Sequence, residues 1–313
     1  METVNNSNKR RLLVIGGAGF IGTHIAKEAL VRGFKVSIIS KNYKSFSERI
    51  DDVEYLAIDI SLEDDLLHQL RSRVFHYVIN LAGYIDHSHY YDGGDKVIDV
   101  HFNGTKNIVN CINRDNLISF VQIGSSDEYG NNPAPQCEDL RELPISPYSF
   151  AKTAATHFLQ MLYITEKFPV VILRPFLVYG PGQEGDRFIP QIIHGCLNDD
   201  EFPVSQGEQL RDFCFISDIV DAVFLTFNNS DTHGEVINIA SGDLISIKEI
   251  VINIQKIIGM GKPQFGMVPY RVGENMELYA NILKAKNLLK WESKVDLRRG
   301  LKETINFYRE KWL

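Results

Sequence analysis

Cysteine is scarce and scattered. The four residues, Cys111, Cys137, Cys196 and Cys214, form no C-x-x-C pair and no Cys/His spacing of a zinc site. This argues against a disulfide framework and against a metal centre, so four reduced, buried thiols and no metal ligand are expected. Long apolar runs are also missing. The longest, such as Val170–Leu173, end within a few residues at a charge or a proline, far from the ~18–20 residues of a membrane span. Positive charge is in deficit, with 33 Lys and Arg against 40 Asp and Glu and a net charge of −7. A general nucleic-acid binder needs the opposite balance. The first stretch, Met1 to Arg11, is polar and has no apolar core of a signal peptide. Residues 1–10 are therefore expected to be a flexible leader, and the protein to be cytoplasmic. Internal repeats and low-complexity tracts are absent.

What remains is an ordinary globular composition, 44% hydrophobic and 23% charged over 313 residues, enough for one large α/β domain or for two units. Short, unbroken apolar runs alternate with amphipathic stretches through the first half. Strands are expected at Arg11–Ile15, Val36–Ile39, Val53–Ile58, Tyr77–Leu81, Phe120–Ile123 and Val170–Leu173. Helices are expected at Thr23–Arg32, Asp64–Leu70, Lys96–Cys111 and Tyr148–Glu166. Strands that are apolar on both faces, separated by helices, predict a doubly wound parallel Rossmann sheet. After about Pro175 the rhythm changes to a Gly/Pro-rich stretch, short strands and two further helices. The expected division is a dinucleotide-binding domain over 11–175 and a smaller mixed, substrate-binding region over 176–313, some of whose segments return to the sheet.

Gly16-Gly17-Ala18-Gly19-Phe20-Ile21-Gly22 follows the first strand and opens the first helix. Glycines let the backbone approach a pyrophosphate, and the helix N-terminus supplies N–H groups and a positive dipole end. Gly16, Gly19, Phe20, Ile21 and Gly22 are thus expected against a dinucleotide. At the end of the second strand an NAD site carries an acid about 20 residues past the glycines. Here the position reads Ser40-Lys41, a hydroxyl and an ammonium that suit a 2′-phosphate, so NADP(H) is favoured and NAD remains possible. Asp59 and Ile60 are expected near the adenine, and Leu81-Ala82-Gly83 along the cofactor's path.

Tyr148 and Lys152 lie four residues apart at the start of the long helix, behind Ser146 as N-cap and Pro147 at N1. That spacing puts both on one face. A tyrosine with its usual pKa near 10 is a poor proton carrier at neutral pH, and a neighbouring ammonium stabilises its phenolate. With Ser125 upstream, after the fifth strand, the three form a candidate catalytic set.

In combination these motifs resemble the extended short-chain dehydrogenase/reductase family of nucleotide-sugar epimerases, dehydratases and reductases, from about Arg11 to the C-terminus. The resemblance implies that Tyr148 is the acid/base and that Lys152 is its helper and bonds the nicotinamide ribose. It further implies that Ser125, four residues before Tyr129-Gly130, is catalytic and that Ser126 and Asp127 face substrate. Leu173-Arg174-Pro175 matches the segment whose backbone touches the nicotinamide end, with Pro175 at the cofactor. Arg211, in Arg211-Asp212-Phe213, and Arg271 match the residues on the nucleotide-sugar diphosphate, and Trp291 matches a packing residue. A homodimer through the helices Lys96–Cys111 and Tyr148–Glu166 is implied as well. Two departures stand out. His101 replaces the usual structural Asn and is expected to substitute for its hydrogen bonds. The Asp127-Glu128 pair is out of register with the acid and base of the dehydratases. Ser40-Lys41, Gly207–Phe213 and the run from Phe265 to Trp291 look most like the 4-keto-6-deoxyhexose reductases, such as the abequose and paratose synthases. The preferred reading is therefore an NADP(H)-dependent reductase of a 4-keto-6-deoxy nucleotide-sugar, with Tyr148 as proton donor. The alternative is a nucleotide-sugar 4-epimerase with tightly bound NAD. A 4,6-dehydratase and a non-catalytic dinucleotide sensor rank below both.

Overall fold

Apolar strands with no polar face must be covered on both sides, and helical crossovers supply that cover. The computed structural model describes residues 9–41, 49–270 and 274–312, and its first unit is built this way. It comprises the described parts of Met1–Glu128 together with Glu142–Arg174 and Val223–Ile237. Its elements run β1 (Arg11–Ile15), α1 (Phe20–Val31), β2 (Lys35–Ser40), β3 (Val53–Ala57), α2 (Glu63–Leu70) and β4 (Tyr77–Asn80). There follow α3 (Gly94–Ile98), α4 (Gly104–Cys111), β5 (Ser119–Ile123), α5 (Pro147–Glu166) and β6 (Val170–Pro175). The strands from β1 to β6 pair in parallel wherever they are neighbours. The order across the sheet is Val236–Ile239, β6, β5, β4, β1, β2, β3.

Strand order reverses between β1 and β4, since β1 has β2 on one side and β4 on the other. In such sheets the crevice at that reversal, beyond the carboxyl ends of the strands, receives ligands. The loops that leave there begin at Gly16 and Leu81. Below them Leu13, Ile15, Val78, Phe120 and Val170 form one core with Ile108 and Leu159 of the flanking helices, all essentially solvent-free.

One helical segment departs from ideal form in an informative way. The segment expected as one helix over Lys96–Cys111 is interrupted by a π turn at Asp99–Asn103, between α3 and α4. Thr105 Oγ1 donates to His101 O at 2.7 Å inside that turn. α5 starts as its sequence dictates, with a capping box between Ser146 and Ser149 and Pro147 in the first turn.

The second unit comprises Tyr129–Arg141, Pro175–Ala222 and the described part of Asn238–Leu313. It contains β7 (Leu177–Tyr179), α6 (Phe188–Leu197), β8 (Glu201–Val204), β9 (Leu210–Phe215) and α7 (Ile216–Thr226), whose last turn belongs to the first unit. After β10, the Val236–Ile239 strand already placed, come β11 (Leu244–Ser246), α8 (Ile247–Ile258), β12 (Lys262–Phe265) and β13 (Glu277–Leu278). The helices α9 (Leu283–Leu288) and α10 (Leu297–Trp312) complete it. β9 is the hub, antiparallel to β11 and parallel to β13 and β7. Trp291 is buried and its Nε1–H donates to Asp218 O at 3.0 Å, while the Asp218 carboxylate accepts from Ser293, Lys294 and Val295. No helix among the described residues is long and apolar enough to cross a membrane.

The close packing of α1 on the glycine turn gives a direct test. A Cβ on Gly22 would lie 2.5 Å from Gly17 Cα, and backbone there cannot swing aside as a flexible side chain would. Gly22→Ala is expected to destabilise the protein by about 1–3 kcal/mol, the usual cost of overpacking. Thermal or urea unfolding measures it, and wild-type stability would show that the turn has room.

Candidate active site

The glycine turn meets the end of β4 at close range. Gly16 has φ +76°, and a Cβ there would sit 2.9 Å from the backbone of Ala82. Only glycine suits both the left-handed backbone and that approach. Gly19 is the N-cap of α1, and no side chain caps it. Gly19 is exposed, Phe20 and Ile21 are half-buried and Gly22 is buried, so the opening of α1 presents backbone rather than side-chain polar groups. Such an uncapped N-terminus beside a glycine turn fits the pyrophosphate of a dinucleotide. Leu81 and Ala82 continue from β4, Leu81 bonded to Ile15 O at 2.9 Å.

Ser40 ends β2, and Lys41 follows it. Here the structure brings together two residues that the sequence reading assigned to different parts of the ligand. Lys41 Nζ lies 2.8 Å from Asp59 Oδ2, and Asp59 Oδ1 also accepts from Ser61. Burial pushes the Asp59 carboxyl up, and the bonds from Lys41 and Ser61 outweigh it, leaving it below its usual range. The Asp59 bond and charge hold the Lys41 ammonium above its ordinary value. Ile60 is buried against Gly104.

Tyr148 occupies the first turn of α5 and is 5% exposed. Its ring is edge-on to two imidazoles, His101 at 5.1 Å and His87 at 5.7 Å. Lys152, one turn on, is buried, with Nζ 5.9 Å from the Tyr148 ring centroid and donating to Ile123 O at 2.9 Å. Burial pulls the Lys152 ammonium down to about 8, opposed by the charges of Glu128 and Asp127. His101 Nε2 is 2.9 Å from Tyr84 O, a carbonyl that can only accept, so Nε2 carries the proton. Burial, with Lys152 nearby, pushes His101 down to about 3 and keeps it neutral. The imidazole makes a backbone bond, from Nε2 to Tyr84 O. It is also held against Gly83, whose φ of +121° and lack of a side chain leave the space the ring fills.

Ser125 follows β5 and is half-buried. Its Oγ accepts from Asp127 N–H at 3.1 Å, and its own N–H donates to Glu128 Oε1 at 2.8 Å. Ser126 is buried, and Asp127 Oδ2 stands 3.9 Å from His87 Nε2. Glu128 points the other way. It is fully buried, accepts from Thr156 Oγ1 at 2.8 Å, and is paired with Arg174 at 2.7 Å. Both of its oxygens are thus engaged within the fold. Sequence reading missed this cluster and missed His87. The available signal for the first was an arginine within the apolar strand Val170–Pro175, because a buried guanidinium demands carboxylate partners.

In the second unit Arg211 is buried, its guanidinium bonded to Glu274 and to Leu210 O. Arg271, its expected companion on a diphosphate, lies outside the described residues. Asp212 accepts from Ser241 and Gly242, and burial holds its carboxyl above the usual range. Pro175 closes β6. Among the described residues no group of three or more His, Cys, Asp or Glu is gathered to hold a metal ion.

Residues 12–240 match the model of the NAD dependent epimerase/dehydratase family. A UDP-N-acetyl-alpha-D-glucosaminuronate decarboxylase of Bacillus cytotoxicus is 29% identical, over 96% of this chain and 98% of that protein. Among solved structures, the UDP-glucose 4-epimerase of Thermotoga maritima superposes with a TM-score of 0.90 at 24% identity, covering 97% of this chain and 100% of the other. At that identity it shows the fold. The UDP-glucuronic acid 4-epimerase of Bacillus cereus, solved with UDP-glucuronic acid and NAD, gives 0.85 at 26% identity, covering 96% and 100%. These findings overturn the reductase expected from Ser40-Lys41 and the C-terminal run. These relatives are nucleotide-sugar epimerases and a decarboxylase, not specifically 4-keto-6-deoxyhexose reductases. Lys41, the cation on which the NADP(H) expectation rested, meets the Asp59 carboxylate in the structure.

Neutral His101 makes stability depend on pH. Its folded pKa of about 3 lies below the ordinary 6.5, so only the unfolded chain takes up a proton between those values. Its contribution is fully present above pH 6.5 and falls as the medium is acidified toward 3. By pH 5 the loss from this one group is expected to reach about 2 kcal/mol. Urea midpoints at pH 7.5 and 5 should therefore differ less in His101→Gln than in the wild type. An equal difference in the two proteins would exclude His101 as the source.

Proposed function

Since the chain belongs to the NAD dependent epimerase/dehydratase family, we propose that it is a nucleotide-sugar 4-epimerase using NAD, with a UDP-hexose or UDP-hexuronate as substrate. The observation that carries the reading is the Tyr148–Lys152 pair, buried at the head of α5 and tied to the Ser125 loop by the bond from Lys152 to Ile123 O. Gly16, Gly19, Phe20, Ile21, Gly22, Ser40, Asp59, Ile60, Leu81, Ala82, Gly83 and Pro175 would hold the dinucleotide. When bound, it accepts a hydride from C4 of the hexose and returns it to the opposite face.

Tyr148, as phenolate, takes the O4 proton while C4 is oxidised and gives it back on reduction. Lys152 steadies the phenolate electrostatically and bonds the nicotinamide ribose. Ser125 donates a hydrogen bond to O4, where negative charge develops in both directions. Ser126 and Asp127 face the sugar. The region 176–313 takes the nucleotide, with Arg211 and Arg271 on the diphosphate, since a guanidinium fork suits phosphate oxygens. NAD rather than NADP is proposed because a similar structure was solved with NAD, and the pairing of Lys41 with Asp59 places a carboxylate beside the one cation expected at the 2′ position. A homodimer through the segment Lys96–Cys111, which spans α3, the π turn and α4, and through α5 belongs to the same reading. It is supported by Phe150, Met161 and Ile164, 50%, 43% and 69% exposed on α5.

Four measurements test this. Purified protein given UDP-glucose or UDP-glucuronate, with no dinucleotide added, should produce the C4 epimer, followed by NMR. Product absent with every UDP-sugar offered would sink the reading. Tyr148→Phe should lower kcat by about 10²–10⁴, the usual worth of a positioned acid/base, and full activity there would remove Tyr148 from the chemistry. Mass spectrometry of the denatured protein should release NAD, and NAD should bind at least tenfold more tightly than NADP, about 1.4 kcal/mol. Equal affinities would refute the argument from the Lys41–Asp59 pair.

A further inference from the structure

We propose that Glu128 is a positioning residue: a buried carboxylate, locked by Arg174, that fixes the backbone of Ser125. This rests on the reading of Ser125 and Lys152 as parts of the catalytic set and deepens it. Glu128 is fully buried, and both its oxygens are in use. Oε1 accepts the Ser125 N–H at 2.8 Å. Oε2 accepts from Thr156 Oγ1 at 2.8 Å, Arg174 Nε at 3.0 Å and Arg174 Nη2 at 2.7 Å. Arg174 is itself without solvent exposure and turns Nη2 to Glu142 Oε1 at 2.6 Å. Glu142 in turn meets His157 at the surface, 3.2 Å away.

Geometry gives this network a direction. Glu128 spans three elements at once: the loop after β5 through Ser125, the α5 face through Thr156, and β6 through Arg174. Gly124 lies directly against Glu128 Oε1, where a Cβ would collide with it, so the loop is seated on the carboxylate. Lys152 sits one turn before Thr156 and bonds Ile123 O, two residues before Ser125. The groups that face Lys152 are Glu128 and Asp127 from the loop after β5, His101 from the π turn and Tyr148 on its own helix. Of the carboxylates, Glu128 has the larger influence on Lys152. A purely structural ion pair needs no bond to the Ser125 amide; Glu128 makes one.

Two substitutions separate the roles. Glu128→Asp keeps the charge and draws the carboxylate back from Ser125 N–H. It should lower kcat about tenfold to hundredfold, the scale of a displacement near 1 Å, with KM for the nucleotide-sugar within threefold and the pH profile in place. Glu128→Gln keeps an acceptor and removes the charge, so the basic limb of the kcat profile should move to lower pH as Lys152 loses its supporting carboxylate. A merely structural role would lower the melting temperature of both variants and move neither readout. Where Glu128→Gln fails to fold because Arg174 is stranded, Glu128→Gln/Arg174→Gln removes both charges, and its kcat per folded molecule should still fall at least tenfold. Wild-type kcat in folded Glu128→Asp, or in the double variant, overturns the proposal. Full activity in Tyr148→Phe would instead remove the reading beneath it, so the two failures are distinguishable.

Discussion

A buried ammonium must be satisfied, and in this protein that requirement organises the catalytic face. Lys152 has almost no contact with water, and one of its protons goes to the carbonyl of Ile123 at the end of β5. The bond fastens a long helix to the tip of a central strand. Because Tyr148 lies one turn earlier on the same helix and Ser125 two residues later in the loop, satisfying one charge places two other polar groups. Burial makes the ammonium readier to lose its proton, and the nearby carboxylates counter that tendency. The site is therefore a balance between desolvation and charge rather than a set of independent side chains.

The same accounting applies beneath it. Arg174 and Glu128 are both removed from water, an expensive arrangement unless every bond is well made. Here the guanidinium meets two carboxylates, and one of those carboxylates also accepts from a backbone amide and a hydroxyl. Apolar residues of the same volume could fill the space. They could not hold the loop that carries Ser125, because an N–H left in an apolar core would lack a partner.

Local patterns told much of the fold and less of the site. Strands such as Leu12–Ile15 and Val170–Leu173 were legible because a parallel strand buried on both faces is apolar without interruption. Tyr148 and Lys152 were legible because helical spacing is a local property, and the α5 cap was legible for the same reason. The π turn at Asp99–Asn103 was not, since widening one turn changes no composition. Neither was the Glu128–Arg174 pair, whose members stand 46 residues apart and meet only through sheet pairing. Lys41 misled for the same reason. Its neighbours in sequence supply no acid, and its partner Asp59 arrives from the strand beyond.

His101 and Gly83 have a consequence for how such a chain can change over time. The ring occupies the space that any side chain at position 83 would need, and the left-handed backbone there disfavours other residues in any case. The two positions are therefore coupled: while the imidazole occupies that space, any side chain at position 83 meets it, and room for one opens only if the ring is replaced or moves.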